Sequence, residues 1–126
     1  MFDTSVAIAF RDGDRRTLDR AAVLEEPVLL PILAVVELEG GVAAAQVDQL
    51  KRRTALDAIY DELEVLPFSG REAAAYRRIV EQIGFSRSRI IDRMIAAQAI
   101  AAEASLATLN PRDFREVPGL TVEDWS

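Results

Sequence analysis

The chemistry open to this sequence is set first by what it lacks. It contains no histidine and no cysteine, which removes thiolate zinc sites, disulfides, imidazole acids and bases, and Cys/His or Ser/His nucleophiles. Catalysis would fall to its twenty-one carboxylates. Asp92 keeps the least ordinary company among them. It lies near the start of Ile90–Ala102, IIDRMIAAQAIAA, where Ile91, Ile95, Ala99 and Ala102 form a core-facing stripe and Met94, Ala96, Ala97 and Ile100 leave the other faces apolar. Alone, Asp92 reads as a first-turn residue favoured by the helix dipole or paired with Arg89 or Arg93. Three further acids, Asp3, Glu37 and Asp113, change that reading through where the chain must place them.

The elements that position these acids follow from apolar spacing and turn residues. Met1–Ser5 reads as the end of a short strand, with Asp3 at its carboxyl end and Ser5 capping a helix through Phe10. Asp12-Gly13-Asp14 marks a turn, Leu18 to Leu24 a short helix stopped near Pro27, and Val28–Leu30 a buried strand. Ile32–Val42 is helical, with Glu37 in its second turn. Gln46–Leu63 is an amphipathic helix expected to turn Val47, Leu50, Leu56, Ile59, Tyr60 and Leu63 inward, leaving Lys51-Arg52-Arg53 as a solvated face. Val65-Leu66 is another short strand. Ser69 and Glu72 have capping-box spacing for a helix to Ile83, which Gly84 ends. Leu106–Thr108 and Leu120–Val122 complete the strands, separated by a Pro111 turn that carries Asp113.

Short apolar strands alternating with helices predict one α/β domain over residues 1–126, built on a central parallel sheet. In such a sheet a helix begins on the edge where strands end, the edge at which ligands bind. All four acids map there: Asp3 closes the first strand, Glu37 and Asp92 lie early in helices, and Asp113 follows a strand. Like charges gathered in this way repel and are driven to protonate unless a cation neutralises them. An all-oxygen site suits Mg²⁺, with Mn²⁺ able to substitute, and such an ion activates water and steadies an in-line phosphoryl displacement.

The formal net charge of −6 argues against broad attraction to a phosphate backbone. Yet all but one of the fifteen basic residues are arginine, Lys51 being the exception, and arginine is the better phosphate fork. Arg87, Arg89 and Arg93 flank Asp92 and are candidates for nucleic-acid phosphate contact, with charge balance for the acids as the alternative. Half of the residues are hydrophobic, enough for a buried core. No leading signal pattern and no spanning segment is present, so a cytoplasmic protein with no membrane association is expected. Trp125 is expected to anchor the tail by packing.

Taken in order, these motifs resemble the PIN-domain ribonucleases, and more narrowly the VapC toxins of toxin–antitoxin modules. Asp3-Thr4-Ser5-Val6 looks like the family's first acidic motif, Glu37-Leu38 with Gly41 like its E-L-x-x-G, and Asp92 with Ile95-Ala96-Ala97 like its D-x-x-I-A-A. Thr108, Asn110, Asp113 and Phe114 match T-x-N-x-x-D-F, and Val117-Pro118-Gly119-Leu120 with Val122-Glu123-Asp124-Trp125 resembles the common ending. The pattern departs at Leu109, where another polar residue is frequent, and at the start, where only Met1 and Phe2 precede Asp3.

The resemblance implies a five-stranded parallel sheet of order 3-2-1-4-5 and a divalent-metal endoribonuclease. Asp3, Glu37, Asp92 and Asp113 would be its catalytic and metal-holding acids, and Ser5, Thr108 and Asn110 its supporting residues. It further implies a VapB-type antitoxin that blocks the site and a homodimer, and a groove near the helices of Glu37 and Gln46 is a place for an antitoxin helix. Competing readings are a catalytically idle PIN-fold regulatory module, a DNA-directed nuclease, and a phospho-acceptor receiver domain. The last needs a lysine after a late strand, whereas Lys51 lies in an early helix.

Overall fold

Asp3 sets the first turn of the chain in the computed structural model, which describes residues 1–126. Helix α1 spans Thr4–Arg11, and the carboxylate of Asp3 accepts the N–H of Val6 as its N-cap. The cap is therefore Asp3 where Ser5 was expected, because two residues further on the hydroxyl of Ser5 already lies inside the first turn. Asp14 caps α2, Arg15–Ala22, by accepting from both the N–H and the hydroxyl of Thr17. Strand β1 is Leu29–Pro31, α3 is Ile32–Ala44, α4 is Gln49–Glu62 and β2 is Glu64–Leu66. Helix α5, Gly70–Ile83, opens on Ser69, whose N–H and hydroxyl both donate to the Glu72 carboxylate. A short turn of 3-10 helix, Arg87–Arg89, leads into α6, Ile90–Ala101, and β3 is Leu106–Thr108. A second 3-10 turn, Pro111–Asp113, precedes β4, Val122–Asp124, two residues later than the expected start at Leu120.

The strands form two parallel pairs, β1 with β2 and β3 with β4, where one continuous five-stranded sheet was expected. Between the pairs runs Met1–Asp3, too short for a ladder because Asp3 already caps a helix. It makes a single parallel bridge from Phe2 to Ala107. Its backbone nevertheless touches both sides: Phe2 N–H donates to Leu29 O at 2.9 Å, and Asp3 N–H donates to Ala107 O at 3.0 Å.

One cluster of 22 buried apolar residues joins these elements, running from Phe2, Val6 and Leu30 through Leu38, Leu56 and Ile79 to Ile95, Leu106 and Trp125. Trp125 packs edge-on against Phe2, with the Arg20 guanidinium 4.7 Å from its ring centroid. Two residues expected inside are outside: Val47 and Leu50 are exposed, Leu50 at 80%. Val47 precedes the helix, and the first turn of α4 projects past the core that Leu56 and Ile59 reach.

Helix α6 carries an internal clamp. Helix α3 follows Pro31 without any side-chain cap, so its first N–H groups lack acceptors. The Gln98 amide oxygen lies 3.4 Å from Leu33 N–H, while its amide nitrogen donates to Leu66 O at 2.9 Å and Pro67 O at 3.0 Å. Gln98 is 1% exposed, so water does not replace these bonds easily. Substituting Gln98→Leu is expected to cost about 2–4 kcal/mol of stability, because buried backbone groups lose their partners. Urea denaturation measures it, and a loss below about 0.5 kcal/mol would show that the clamp is dispensable.

Candidate active site

The four sequence-predicted acids line one cavity of about 230 Å³, together with Thr4, Ser5, Ile8, Ile95, Asn110 and Phe114. Four elements deliver them: the start of α1, the second turn of α3, the first turn of α6 and the Pro111–Asp113 turn. A larger cavity, about 610 Å³, lies beside Met1, Pro27 and Trp125, and none of the four acids reaches it. Size does not select the site; the convergence of acids does.

Each carboxylate has a different hold. Asp3 is buried, at 5% exposure. Its Oδ1 accepts the Val6 N–H at 2.9 Å and the Ser5 hydroxyl at 2.6 Å, and its Oδ2 accepts the Thr108 hydroxyl. Those hydroxyls are fixed in turn, Ser5 Oγ accepting Leu109 N–H at 3.0 Å and Thr108 Oγ1 accepting Asn110 N–H at 2.9 Å. Ser5 and Thr108 therefore orient Asp3, while the exposed Asn110 side chain borders the cavity. Glu37 is exposed at the cavity mouth and accepts the Thr4 hydroxyl at 2.6 Å. Sequence reasoning missed Thr4, whose only signal is its place beside Asp3. Asp113 lies 3.4 Å from Arg89 Nη1, a long contact.

Asp92 alone among the four accepts no hydrogen bond from the chain. Burial, then the charges of Asp113 and Glu37 and more weakly Asp3, push its pKa up to about 6 against the partial relief that Arg89 gives. Carboxylates and hydroxyls without any soft ligand make a donor set suited to a hard divalent cation. The acids do not stand as a ready-made cage, since no group of three is arranged to hold an ion as it is. Glu37 and Asp113 are turned instead toward Thr4 and Arg89, contacts that an exposed carboxylate can exchange.

The three arginines separate. Arg89 serves Asp113, through both the carboxylate and the backbone carbonyl. Arg93 points elsewhere: it is buried and donates to Gly84 O at 2.7 Å, so its guanidinium already has its partner. Arg87 is exposed and makes no hydrogen bond. Away from the cavity, Arg53 leaves the expected solvated face to pair with Glu39 and Asp57, tying α4 to α3.

Comparison with known proteins adds a separate line of observation. Residues 1–120 match the PIN domain family. Ribonuclease VapC1 of Rickettsia felis is 31% identical over 126 residues, covering 97% of this chain and 92% of the relative. Ribonuclease VapC2 of the same organism is 30% identical over 101 residues, covering 78% and 74%. Among solved structures, VapBC2 from Rickettsia felis bound to a promoter DNA fragment superposes with a TM-score of 0.89 at 24% identity, covering 100% of this chain and 98% of that one. VapBC-5 from Mycobacterium tuberculosis gives 0.71 at 29% identity, covering 98% and 94%. Together they establish a PIN-like α/β fold.

The raised pKa of Asp92 has a thermodynamic consequence. The fold favours the protonated form, so in chelator stability falls as pH rises from about 4 through 6, and then levels. Asp92→Asn should remove this fall and leave the protein more stable at pH 7.5. The upper bound is about 3 kcal/mol, and about 1–2 kcal/mol is expected once solvent screening at a half-buried group is allowed for. Thermal melts of both proteins at pH 4 and 7.5 test it; equal differences at the two pH values would contradict it.

Proposed function

We propose that this chain, which belongs to the PIN domain family and stands within it among the VapC proteins, is a metal-dependent endoribonuclease. It hydrolyses RNA phosphodiester bonds and is the toxin of a toxin–antitoxin module. The observation that supports this most is Asp92, a half-buried carboxylate with no donor of its own, facing three others across one cavity. Asp3, Glu37, Asp92 and Asp113 would hold Mg²⁺, or Mn²⁺ in its place. Bound there, the ion would supply Lewis acidity and an activated water for attack on a phosphodiester.

The chain's own residues do the positioning. Ser5 and Thr108 keep Asp3 fixed. Thr4 steers Glu37 over the mouth, Asn110 offers a polar group at the rim, and Arg89 sets Asp113 and places a positive charge where a substrate phosphate would arrive. Arg87 is free to contact RNA. In the same reading one PIN-like domain spans residues 1–126, and Met1–Asp3 is the central strand of a sheet of order 3-2-1-4-5, supported by its bonds to Leu29 and Ala107.

A VapB-type antitoxin is the proposed inhibitor. The solved neighbours named above are VapBC proteins, and exposed Leu50 lines, with Val42 and Ala43, a groove between α3 and α4 suited to an amphipathic helix. The protein is proposed to act in the cytoplasm as a homodimer. No helix is long and apolar enough to cross a membrane.

Total bacterial RNA incubated with the protein in Mn²⁺ or Mg²⁺, followed by mapping of new 5′ ends, tests the activity. Discrete cuts that vanish with chelator and in Asp92→Asn are expected, with activity falling at least about 100-fold in the variant. Cuts that survive in Asp92→Asn would overturn the assignment of the site. Cleavage of single-stranded DNA at an equal rate would make the enzyme a nuclease indifferent to the sugar.

A further inference from the structure

The loop between α5 and α6 is fastened at both ends to elements of the active site. At its start Gly84, with φ +83°, ends α5, and its carbonyl accepts from Arg93 on α6. At its end Arg89 bonds to Asp113. Between these anchors the loop shows its side chains to solvent: Phe85 is 70% exposed, and Arg87 and Ser88 are exposed. Phe85 is the only aromatic residue among the exposed large apolar side chains. No ring stacks on it, since the aromatic pairs of the chain all involve Phe2.

Phe85 and Arg89 are four positions apart, so even fully extended backbone keeps them within about 14 Å. An exposed phenyl ring and an unpaired arginine thus lie on one short loop whose far end is bonded to Asp113, a lining residue of the acidic cavity. Unpaired bases stack on such rings whatever their identity, while arginine holds the neighbouring phosphates. A protein partner would also cover an exposed phenylalanine. The flanking Arg87 and the anchoring of the loop to Asp113 favour a polyanion that continues into the cavity.

We infer that Phe85 is a stacking platform for an unpaired base of the RNA, with Arg87 gripping the adjacent phosphate, so that the loop holds single-stranded substrate in line with the carboxylates. This rests on the nuclease reading above and adds to it a residue that fixes which form of RNA is accepted.

The probe is a fluorescein-labelled, mixed-sequence single-stranded RNA twelvemer, compared with the same sequence in a duplex. In the Asp92→Asn background with Mg²⁺, Phe85→Ala should weaken binding of the single strand about ten-fold, the scale of one lost base stack, and leave duplex binding unchanged. Phe85→Trp should retain binding and show quenched indole emission when the single strand is added; the parent, whose lone Trp125 is 5% exposed, should show no quenching. In the cleaving protein, Phe85→Ala should raise KM with little change in kcat. Unchanged single-strand affinity and KM in a Phe85→Ala protein that melts normally would overturn the inference while leaving the nuclease reading intact. A change in oligomeric state alone would overturn it in favour of a protein partner at Phe85. If the wild type neither cleaves total RNA nor binds the probe, the nuclease reading falls and takes this inference with it.

Discussion

Mutual repulsion among carboxylates is what the rest of this structure is arranged to contain. Asp3, Glu37, Asp92 and Asp113 come from distant parts of the chain and meet at one cavity. Folding alone gives no reason to gather them, because a half-buried carboxylate facing like charges loses stability each time it ionises. Asp92 carries most of that penalty, having no hydrogen-bond donor and only the partial relief of Arg89, which is bonded to Asp113 instead. The other three have their charge shared by hydroxyls, a helix N-terminus and a guanidinium. This uneven treatment leaves one charge unsatisfied in the middle of a site, an arrangement that costs stability and gains it back only when something positive enters.

Holding such a site open requires stiffness elsewhere, and the scaffold supplies it with buried polar bonds as well as apolar packing. Gln98 on α6 reaches the first turn of α3 and the end of β2, so the helices that carry Asp92 and Glu37 are tied through one side chain. Thr108 on β3 joins Asp3 at the head of α1. Arg93 closes the loop before α6. The alanines of α6, Ala96, Ala97 and Ala99, are buried and let that helix lie close against its neighbours. Through these contacts a shift in one element would be felt by at least two of the acids.

Much of this was legible in the sequence. The helix of Asp92, the second-turn position of Glu37, the capping box at Ser69 and the strand before Asp113 all follow from spacing and turn chemistry, and the sheet-edge argument needs only their order to bring the acids together. Other features were not legible for physical reasons. Which of Asp3 and Ser5 caps α1 depends on a two-residue offset in where the helix begins, and both residue types can serve as caps. Val47 and Leu50 fit an inward stripe, but how far a helix extends past the core is a tertiary fact. Gln98 sits in an apolar run with nothing local to mark its role, because its partners lie 31 to 65 residues away. Arg93 carries the same charge as Arg87 and Arg89, yet burial directs it to a carbonyl and away from the cavity.

The central claim is that these four carboxylates act as one cation-holding group, and Mn²⁺ binding tests it most directly. Electron paramagnetic resonance at pH 7.5 would count bound ion in the wild type, in Asp3→Asn, Glu37→Gln, Asp92→Asn and Asp113→Asn, and in the Asp3→Asn, Asp113→Asn double variant. The expected result is saturable binding by the wild type and a large loss in each single variant, with the double variant losing less than the sum of its parts because the ligands work as a unit. Mn²⁺ binding that none of the four substitutions alters, or its absence from a folded wild type, would contradict the account.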